Sequence, residues 1–159
     1  MLVSEMMTRE VQTCNAGDSL NTAAEMMWRT DCGCLPVVDD DGKTIAMITD
    51  RDICMAAYTQ GRKLVAMSVA SAASSNIVTV RGDESVAAAE ALMRKHQIRR
   101  IPVVDANGRP KGIVSMNDLA RHGEHAQHGK HAKHDGLDAE MILHTLAAVS
   151  NPSKHEFAG

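Results

Sequence analysis

Residues 35–52 read LPVVDDDGKTIAMITDRD, and residues 101–118 read IPVVDANGRPKGIVSMND. Pro36-Val37-Val38-Asp39 returns as Pro102-Val103-Val104-Asp105, Gly42 returns as Gly108, and Asp52 returns as Asp118, each 66 residues later. Outward from this stretch the same offset carries Val11 onto Ile77, Thr13 onto Thr79 and Ser19 onto Ser85 without a gap. A unit present twice is too few for a solenoid, which needs at least three copies to bury a core. One globule with a pseudo-two-fold axis is the expectation, with ligand sites in the crevice between the halves.

Each copy contains the same run of signals. In the first, Val11 to Cys14 reads as a strand, Ala16-Gly17-Asp18 as a turn, and Asp18 or Ser19 as the cap of a helix whose Leu20, Ala23, Ala24, Met26 and Met27 are apolar or small. Leu35 to Val38 is a buried strand, Asp39 to Gly42 a tight turn, Thr44 to Ile48 the returning strand, and a second helix runs from about Asp50 to Tyr58. The second copy predicts strand Ile77 to Val80, helix Glu84 to His96, strands Ile101 to Val104 and Lys111 to Val114, and a helix from Met116. The fold class is therefore α/β in the broad α+β sense: two β-α-β-β-α repeats whose sheets pack on each other, plus a C-terminal helix. Along the chain this predicts a first repeat with its connecting segment (1–66), a second repeat (67–121), a His-rich linker (122–136), and a final helix and tail (137–159).

Composition excludes several classes. The net charge is −3 and the aromatic residues are one Trp, one Tyr and one Phe, so the basic face and stacking platforms of a nucleic-acid protein are not expected. No run approaches the ~20 apolar residues that span a bilayer. The N-terminal MLVSEMMTRE has neither a basic start nor an apolar stretch, so a cytoplasmic chain with reduced thiols is expected. Paired Ser-His-acid or Cys-His patterns, a metal-protease helix and a phosphate-binding Gly loop are lacking, so no catalysis of its own is expected.

The order β-α-β-β-α, together with Ala46-Met47-Ile48-Thr49-Asp50-Arg51-Asp52 and Gly112-Ile113-Val114-Ser115-Met116-Asn117-Asp118, resembles a tandem pair of cystathionine-β-synthase (CBS) domains. The family signature is a Gly, two apolar residues, Ser or Thr, two variable residues and Asp, after an apolar-Pro-apolar strand. Leu35-Pro36-Val37 and Ile101-Pro102-Val103 supply that strand, and the resemblance covers roughly residues 3 to 120. It implies a stand-alone regulatory module binding an adenine nucleotide of the AMP, ADP, ATP or NAD class. It also implies a homodimer of such pairs and a downstream protein that the sequence does not name.

Thr49 and Ser115 stand at strand-to-helix junctions, where unpaired N–H groups and the positive helix end favour a phosphate. Asp52 and Asp118, one turn on, can accept both ribose hydroxyls, and the adenine would lie beside the Pro-containing strand near Thr13 or Thr79. The same residues fit the [S/T]-x-x-[D/E] helix capping box of proteins that bind nothing, and a pair that has lost its ligand and only dimerises is the matching alternative. Arg99-Arg100 before Ile101-Pro102 offers two guanidinium groups to phosphates across the crevice, where the first repeat has Gly33-Cys34. The first repeat has Arg51 where the second has Asn117, and Ala46 in place of the signature Gly adds a methyl near the ligand. These differences favour the second-repeat motif.

Cys32-Gly33-Cys34 lacks the two-to-four-residue separation of paired zinc cysteines, and the methionines read as packing. His122, His125, His128, His131 and His134 recur every third residue, so on a helix each is turned about 60° from the last and only neighbours could share a metal. They are read as a solvated linker, with a metal-responsive protein as the alternative. Beyond it Asp138 can cap a helix with Met141, Ile142, Thr145, Leu146 and Val149 in one apolar stripe, ended by Asn151-Pro152, which must dock on its own module or on a partner.

Overall fold

Local chemistry builds each half the same way. The computed structural model describes residues 1–74, 76–121 and 139–150. The chain runs α1 (Val3–Met6), β1 (Thr8–Arg9), β2 (Cys14–Asn15), α2 (Leu20–Arg29), β3 (Cys34–Val38), β4 (Thr44–Thr49) and α3 (Asp50–Gln60). Two 3-10 turns (Leu64–Ala66, Val69–Ser71) lead into β5 (Val80–Arg81), α4 (Val86–His96), β6 (Arg100–Val104), β7 (Pro110–Ser115), α5 (described over 116–121) and α6 (Ala139–Ser150).

Ser19 caps α2 by accepting the Thr22 N–H at 3.1 Å, and Ser85 caps α4 by accepting the Ala88 N–H at 3.1 Å. Behind the caps, Leu20, Ala23 and Met27 are buried on one helix, and Val86, Ala89 and Met93 on the other, the spacing of one helical face. Asp39 Oδ1 accepts the N–H groups of Asp41 and Lys43, and Asp105 Oδ1 those of Asn107 and Arg109. Gly42 and Gly108 turn the corner at φ 76° and 78°, where a side chain would be strained. The hairpins β3–β4 and β6–β7 that follow share one register, Leu35 opposite Ile48 and Ile101 opposite Val114.

The predicted strands at Val11 to Cys14 and Ile77 to Val80 shrink to Cys14–Asn15 and Val80–Arg81. The parallel ladder pairs Cys14 with Val37 and Val80 with Val103, so one step back Thr13 and Thr79 would stand beside Pro36 and Pro102. Proline has no N–H to donate, and the pairing stops there.

The sheets are β2-β3-β4 and β1-β7-β6-β5, and β1 belongs to the second because each half borrows the segment that precedes the other repeat. Val3 N–H donates to Glu84 O (2.9 Å) and Ser4 N–H to Gly82 O (2.9 Å); 66 residues on, Val69 N–H donates to Asp18 O (2.8 Å) and Ala70 N–H to Ala16 O (2.9 Å). Val3 and Val69 are both fully buried, each in the core of the other repeat. The consequence is two cores where one shared core was expected. One centres on Leu20, Leu35 and Ile48, the other on Met93, Ile101 and Leu119, and each such side chain contributes roughly 1.5 to 3 kcal/mol by burial. The second faces of β3 and β6 are closed too: Cys34, Pro36 and Pro102 are buried, so the halves still meet along these strands.

The Gly that the signature asks for, Gly112, has a structural reason. A Cβ there would lie 2.6 Å from the Thr8 carbonyl oxygen and 2.6 Å from Met7 Sδ, because β1 pairs with β7 at this point, Arg9 opposite Gly112. Ala46, its counterpart, is buried in the first core and lines neither of the two clefts at the motifs, which corrects the expectation of a methyl beside the ligand.

Helix α6 docks on its own chain. Ile142, Thr145 and Val149 are buried, Gln97 Nε2 donates to Ala148 O at 3.4 Å, and Thr145 Oγ1 donates to the buried Glu90 carboxylate on α4. Leu146, expected on the buried stripe, is 38 % exposed. The His-rich segment and the expected caps Asp138 and Asn151-Pro152 lie outside the described residues. Among those described, no helix is long and apolar enough to cross a membrane.

Two candidate ligand clefts

The junction β4–α3 carries the first motif. Thr49 Oγ1 accepts the Asp52 N–H (3.1 Å), while Asp52 Oδ2 accepts the Thr49 N–H (2.9 Å) and hydroxyl (2.6 Å), a reciprocal capping box. The junction β7–α5 repeats it: Asp118 Oδ2 accepts from Ser115 N–H (2.8 Å) and hydroxyl (2.6 Å). The remaining oxygens differ. Asp118 Oδ1 receives Arg121 at 2.7 Å, whereas Asp52 Oδ1 has no partner among the described residues.

Each motif opens on a cleft between the halves, and what faces it comes from the other repeat. The first cleft, ≈ 200 Å³, sets Thr49, Arg51 and Asp52 against Ile98, Arg99, Arg100 and Pro102. The second, ≈ 340 Å³, sets Ser115 and Asp118 against Cys32, Gly33 and Cys34. Positions 32–34 and 98–100 are equivalent under the 66-residue offset, so the clefts are pseudo-symmetric and their facing walls are not. Arg99 therefore stands opposite the first motif, while the sequence reading had tied the arginine pair to the second. Arg100 and its counterpart Cys34 line both clefts, where the halves meet.

Of the residues singled out from sequence, Thr49, Arg51, Asp52, Arg99, Arg100 and Pro102 come together in the first cleft, and Ser115, Asp118 and Arg100 in the second. Leu35 and Ile101 point into the cores, Pro36 is buried, and Thr13, Thr79 and Asn117 line neither cleft. Sequence reasoning missed Asp50, Ser74 and Asn76 to Val78 in the first cleft, and Thr8 to Gln12 in the second. Extending the 66-residue offset into the leaders, Thr8 onto Ser74, would have found all of these but Asp50.

Burial pushes the Cys34 thiol up to about 11, against the lowering effect of Arg100, with Cys32 and Asp50 raising it further. Burial, helped by Asp18, likewise pushes Cys14 up to about 11. Both are thiols at neutral pH, and Cys32 Sγ donates to the Cys34 carbonyl at 3.4 Å. Among the described residues no group of three or more His, Cys, Asp or Glu could hold a metal ion.

The geometry matches known proteins. The CBS domain family matches residues 3–58 and 69–125, both repeats together with their leaders. CBS domain-containing protein YhcV of Bacillus subtilis is 37 % identical over 118 residues, covering 74 % of this chain and 82 % of the relative. The CBS domain pair of protein MJ0100, solved in complex with 5′-methylthioadenosine and S-adenosyl-L-methionine, superposes with a TM-score of 0.70 at 29 % identity, over 76 % of this chain and 94 % of that one. Hypoxic Response Protein I, solved with two coordinated zinc ions, gives 0.69 at 31 % identity, over 77 % and 98 %. With both repeats matched and the fold shared, this chain belongs to the CBS domain family and is a tandem CBS domain pair.

Proposed function

We propose that this CBS pair is a regulatory module that binds an adenine nucleotide of the AMP, ADP, ATP or NAD class in the first cleft and has no catalysis of its own. One observation carries this reading: Asp52, a carboxylate with one oxygen unpartnered among the described residues, faces the same cleft as Arg51, Arg99 and Arg100 at the N-terminus of an 11-residue helix. Asp52 would take the ribose hydroxyls, and the guanidinium groups and the first N–H groups of α3 would take the phosphate, each charge-assisted bond contributing roughly 1.5 to 3 kcal/mol. The adenine would sit against Ile77, Val78 and Pro102. The adenosine ligands of MJ0100 support the ligand class.

Regulation would follow by linkage. A nucleotide held between the repeats favours one arrangement of halves or of paired protomers, and reaches a downstream protein only through its differential affinity for the two arrangements. The test is thermal unfolding with AMP, ATP or NAD. At a hundredfold excess over Kd the native state gains about 2.7 kcal/mol, and no shift in midpoint with any of the three at millimolar concentration refutes the reading. The alternative of a metal-responsive protein draws on the zinc of Hypoxic Response Protein I and on the His tract. It predicts stoichiometric zinc uptake that disappears when His122, His125, His128, His131 and His134 are replaced by Ala.

A further inference from the structure

Cys32 and Cys34 both line the second cleft, and the nucleotide reading uses neither. Their equivalents in the other repeat are Ile98 and Arg100, so the thiol pair belongs to one half only. Residues two apart in an extended chain stand on one face with Cα atoms roughly 6.6 to 6.8 Å apart, the wide end of the roughly 4.4 to 6.8 Å that a disulfide spans. A bend at the residue between them brings them into range. The chain bends at Gly33, and Cys32 Sγ is folded back onto Cys34: it donates to the Cys34 carbonyl at 3.4 Å and lies 3.2 Å from Thr30 Oγ1. Cys32 is partly exposed and Cys34 is buried. Burial pushes the Cys34 thiol up to about 11, which keeps it protonated and shielded from oxidants in solution, so Cys32 meets them first.

Gly33, which must turn for a ring to close between the two sulfurs, is tied to the first cleft. Its carbonyl accepts the Asp50 N–H at 3.2 Å, and a Cβ on it would lie 3.1 Å from Asp50 Oδ2 and 3.4 Å from an Arg100 guanidinium nitrogen. Asp50 is the first residue of α3, and Asp50 and Arg100 both line the first cleft. A movement of Gly33 is therefore felt where the nucleotide would bind.

We infer that Cys32 and Cys34 form a reversible dithiol–disulfide site, oxidised by low-molecular-weight disulfides, and that closing it weakens nucleotide binding in the first cleft. The coupling rests on the reading of that cleft as a nucleotide site; the disulfide itself does not. In the first step the Cys32 sulfur attacks one sulfur of the oxidant, forming a mixed disulfide, breaking the oxidant's S–S bond and releasing one thiol, which takes up the proton that Cys32 gave up. In the second the Cys34 sulfur attacks Cys32 Sγ, the mixed bond breaks, and a second thiol leaves with the Cys34 proton. The protein loses two electrons and two protons, and the oxidant is reduced to two thiols.

The test equilibrates the full chain, carrying Cys54→Ser to remove the exposed thiol on α3, in mixtures of oxidised and reduced glutathione, then blocks free thiols, denatures and digests with trypsin. Cleavage after Arg29 and Lys43 isolates residues 30–43, which hold these two cysteines and no other. The expected product is that peptide with both thiols unblocked and two hydrogens lost, and Cys34→Ser should stop instead at glutathione on Cys32. Calorimetric titration should find AMP about tenfold weaker on the oxidised chain, and by linkage AMP should raise by the same factor the oxidant-to-reductant ratio needed for half oxidation. Glutathione retained on Cys32 with Cys34 present, or both thiols left free in every mixture, would overturn the inference and leave the nucleotide reading intact. Equal AMP affinity of the two forms would overturn the coupling. AMP binding to neither form would overturn the nucleotide reading and the coupling with it, while the peptide still reports the disulfide.

Discussion

Asp52 and Asp118 occupy equivalent positions, make the same two hydrogen bonds to the hydroxyl residue three places earlier, and differ only in what surrounds them. Asp118 is closed off by Arg121 from its own helix and faces thiols, whereas Asp52 keeps an oxygen without a partner among the described residues and faces Arg99 and Arg100. The motif therefore specifies a helix start in both halves. The ligand chemistry is specified by the opposite repeat, because the crevice brings each motif against the segment 66 residues away from its own equivalent.

The largest expected difference between the halves appears at high pH, because both buried thiols with raised pKa values, Cys14 and Cys34, sit in the first repeat, opposite Val80 and Arg100 in the second. The folded chain keeps these thiols protonated up to about 11, and the unfolded chain only up to about 9. The stability they carry is therefore intact below pH 9 and lost as pH rises through 11. At ~1.4 kcal/mol per pH unit this amounts to roughly 2 to 3 kcal/mol for each thiol. Urea unfolding between pH 8 and 11 should show this loss in the wild type and about half of it in Cys14→Ala. An unchanged slope in that variant would mean that the thiol does not couple to folding.

The next effect tests the leader exchange. Gly112→Ala forces a methyl into the Thr8 carbonyl, an overpacking expected to cost about 3 kcal/mol, while Ala46→Gly costs about 1 kcal/mol from backbone entropy and a lost methyl. Equal effects of the two substitutions, measured by urea midpoints, would deny that the pairing of β1 with β7 distinguishes the halves. At the clefts, Asp52→Asn should weaken AMP by about 2 kcal/mol, near thirtyfold, with Asp118→Asn leaving AMP binding unchanged. The reverse ranking would move the nucleotide to the second motif.

Hairpins and helices were legible in the sequence because their determinants are local: Asp39 and Asp105 at the turns, Ser19 and Ser85 at the caps, apolar residues on one helical face. The leader exchange was not, since Val3 to Glu84 and Val69 to Asp18 are backbone hydrogen bonds that no side chain encodes. The docking of α6 was half legible: its stripe was plain, but the partner face on α4 depends on Glu90, a carboxylate that reads as solvated until Thr145 is seen to donate to it. The clefts were legible in their floors and not in their walls. Thr49 with Asp52 and Ser115 with Asp118 follow from one pattern, but that Arg99 faces Thr49 requires knowing how the halves meet.

The smallest effect tests where the halves should not differ at all. Ser19 and Ser85 each accept one N–H at 3.1 Å, each opens a helix that buries three residues at the same spacing or more, and each pairs with the borrowed leader, Ser19 with Ser68 and Ser85 with Leu2. Removing either hydroxyl takes a cap acceptor from one helix N–H, at a cost of about 1 kcal/mol, although the Ala88 N–H keeps a bond to the Ser85 carbonyl at 3.0 Å. Ser19→Ala and Ser85→Ala should therefore shift the urea midpoint equally, within about 0.5 kcal/mol, and the double variant should lose the sum, because the caps lie in separate cores. A side-chain difference is the contact of Ser19 Oγ with Thr22 Oγ1 at 2.9 Å, which Thr22→Val would remove from the first half alone. If Ser19→Ala costs twice as much as Ser85→Ala and Thr22→Val restores equality, that hydroxyl pair accounts for the difference and the pseudo-symmetry of the caps stands. If inequality survives Thr22→Val, the two leaders support their helices unequally, and the exchange that completes the cores is not the same on both sides of the axis.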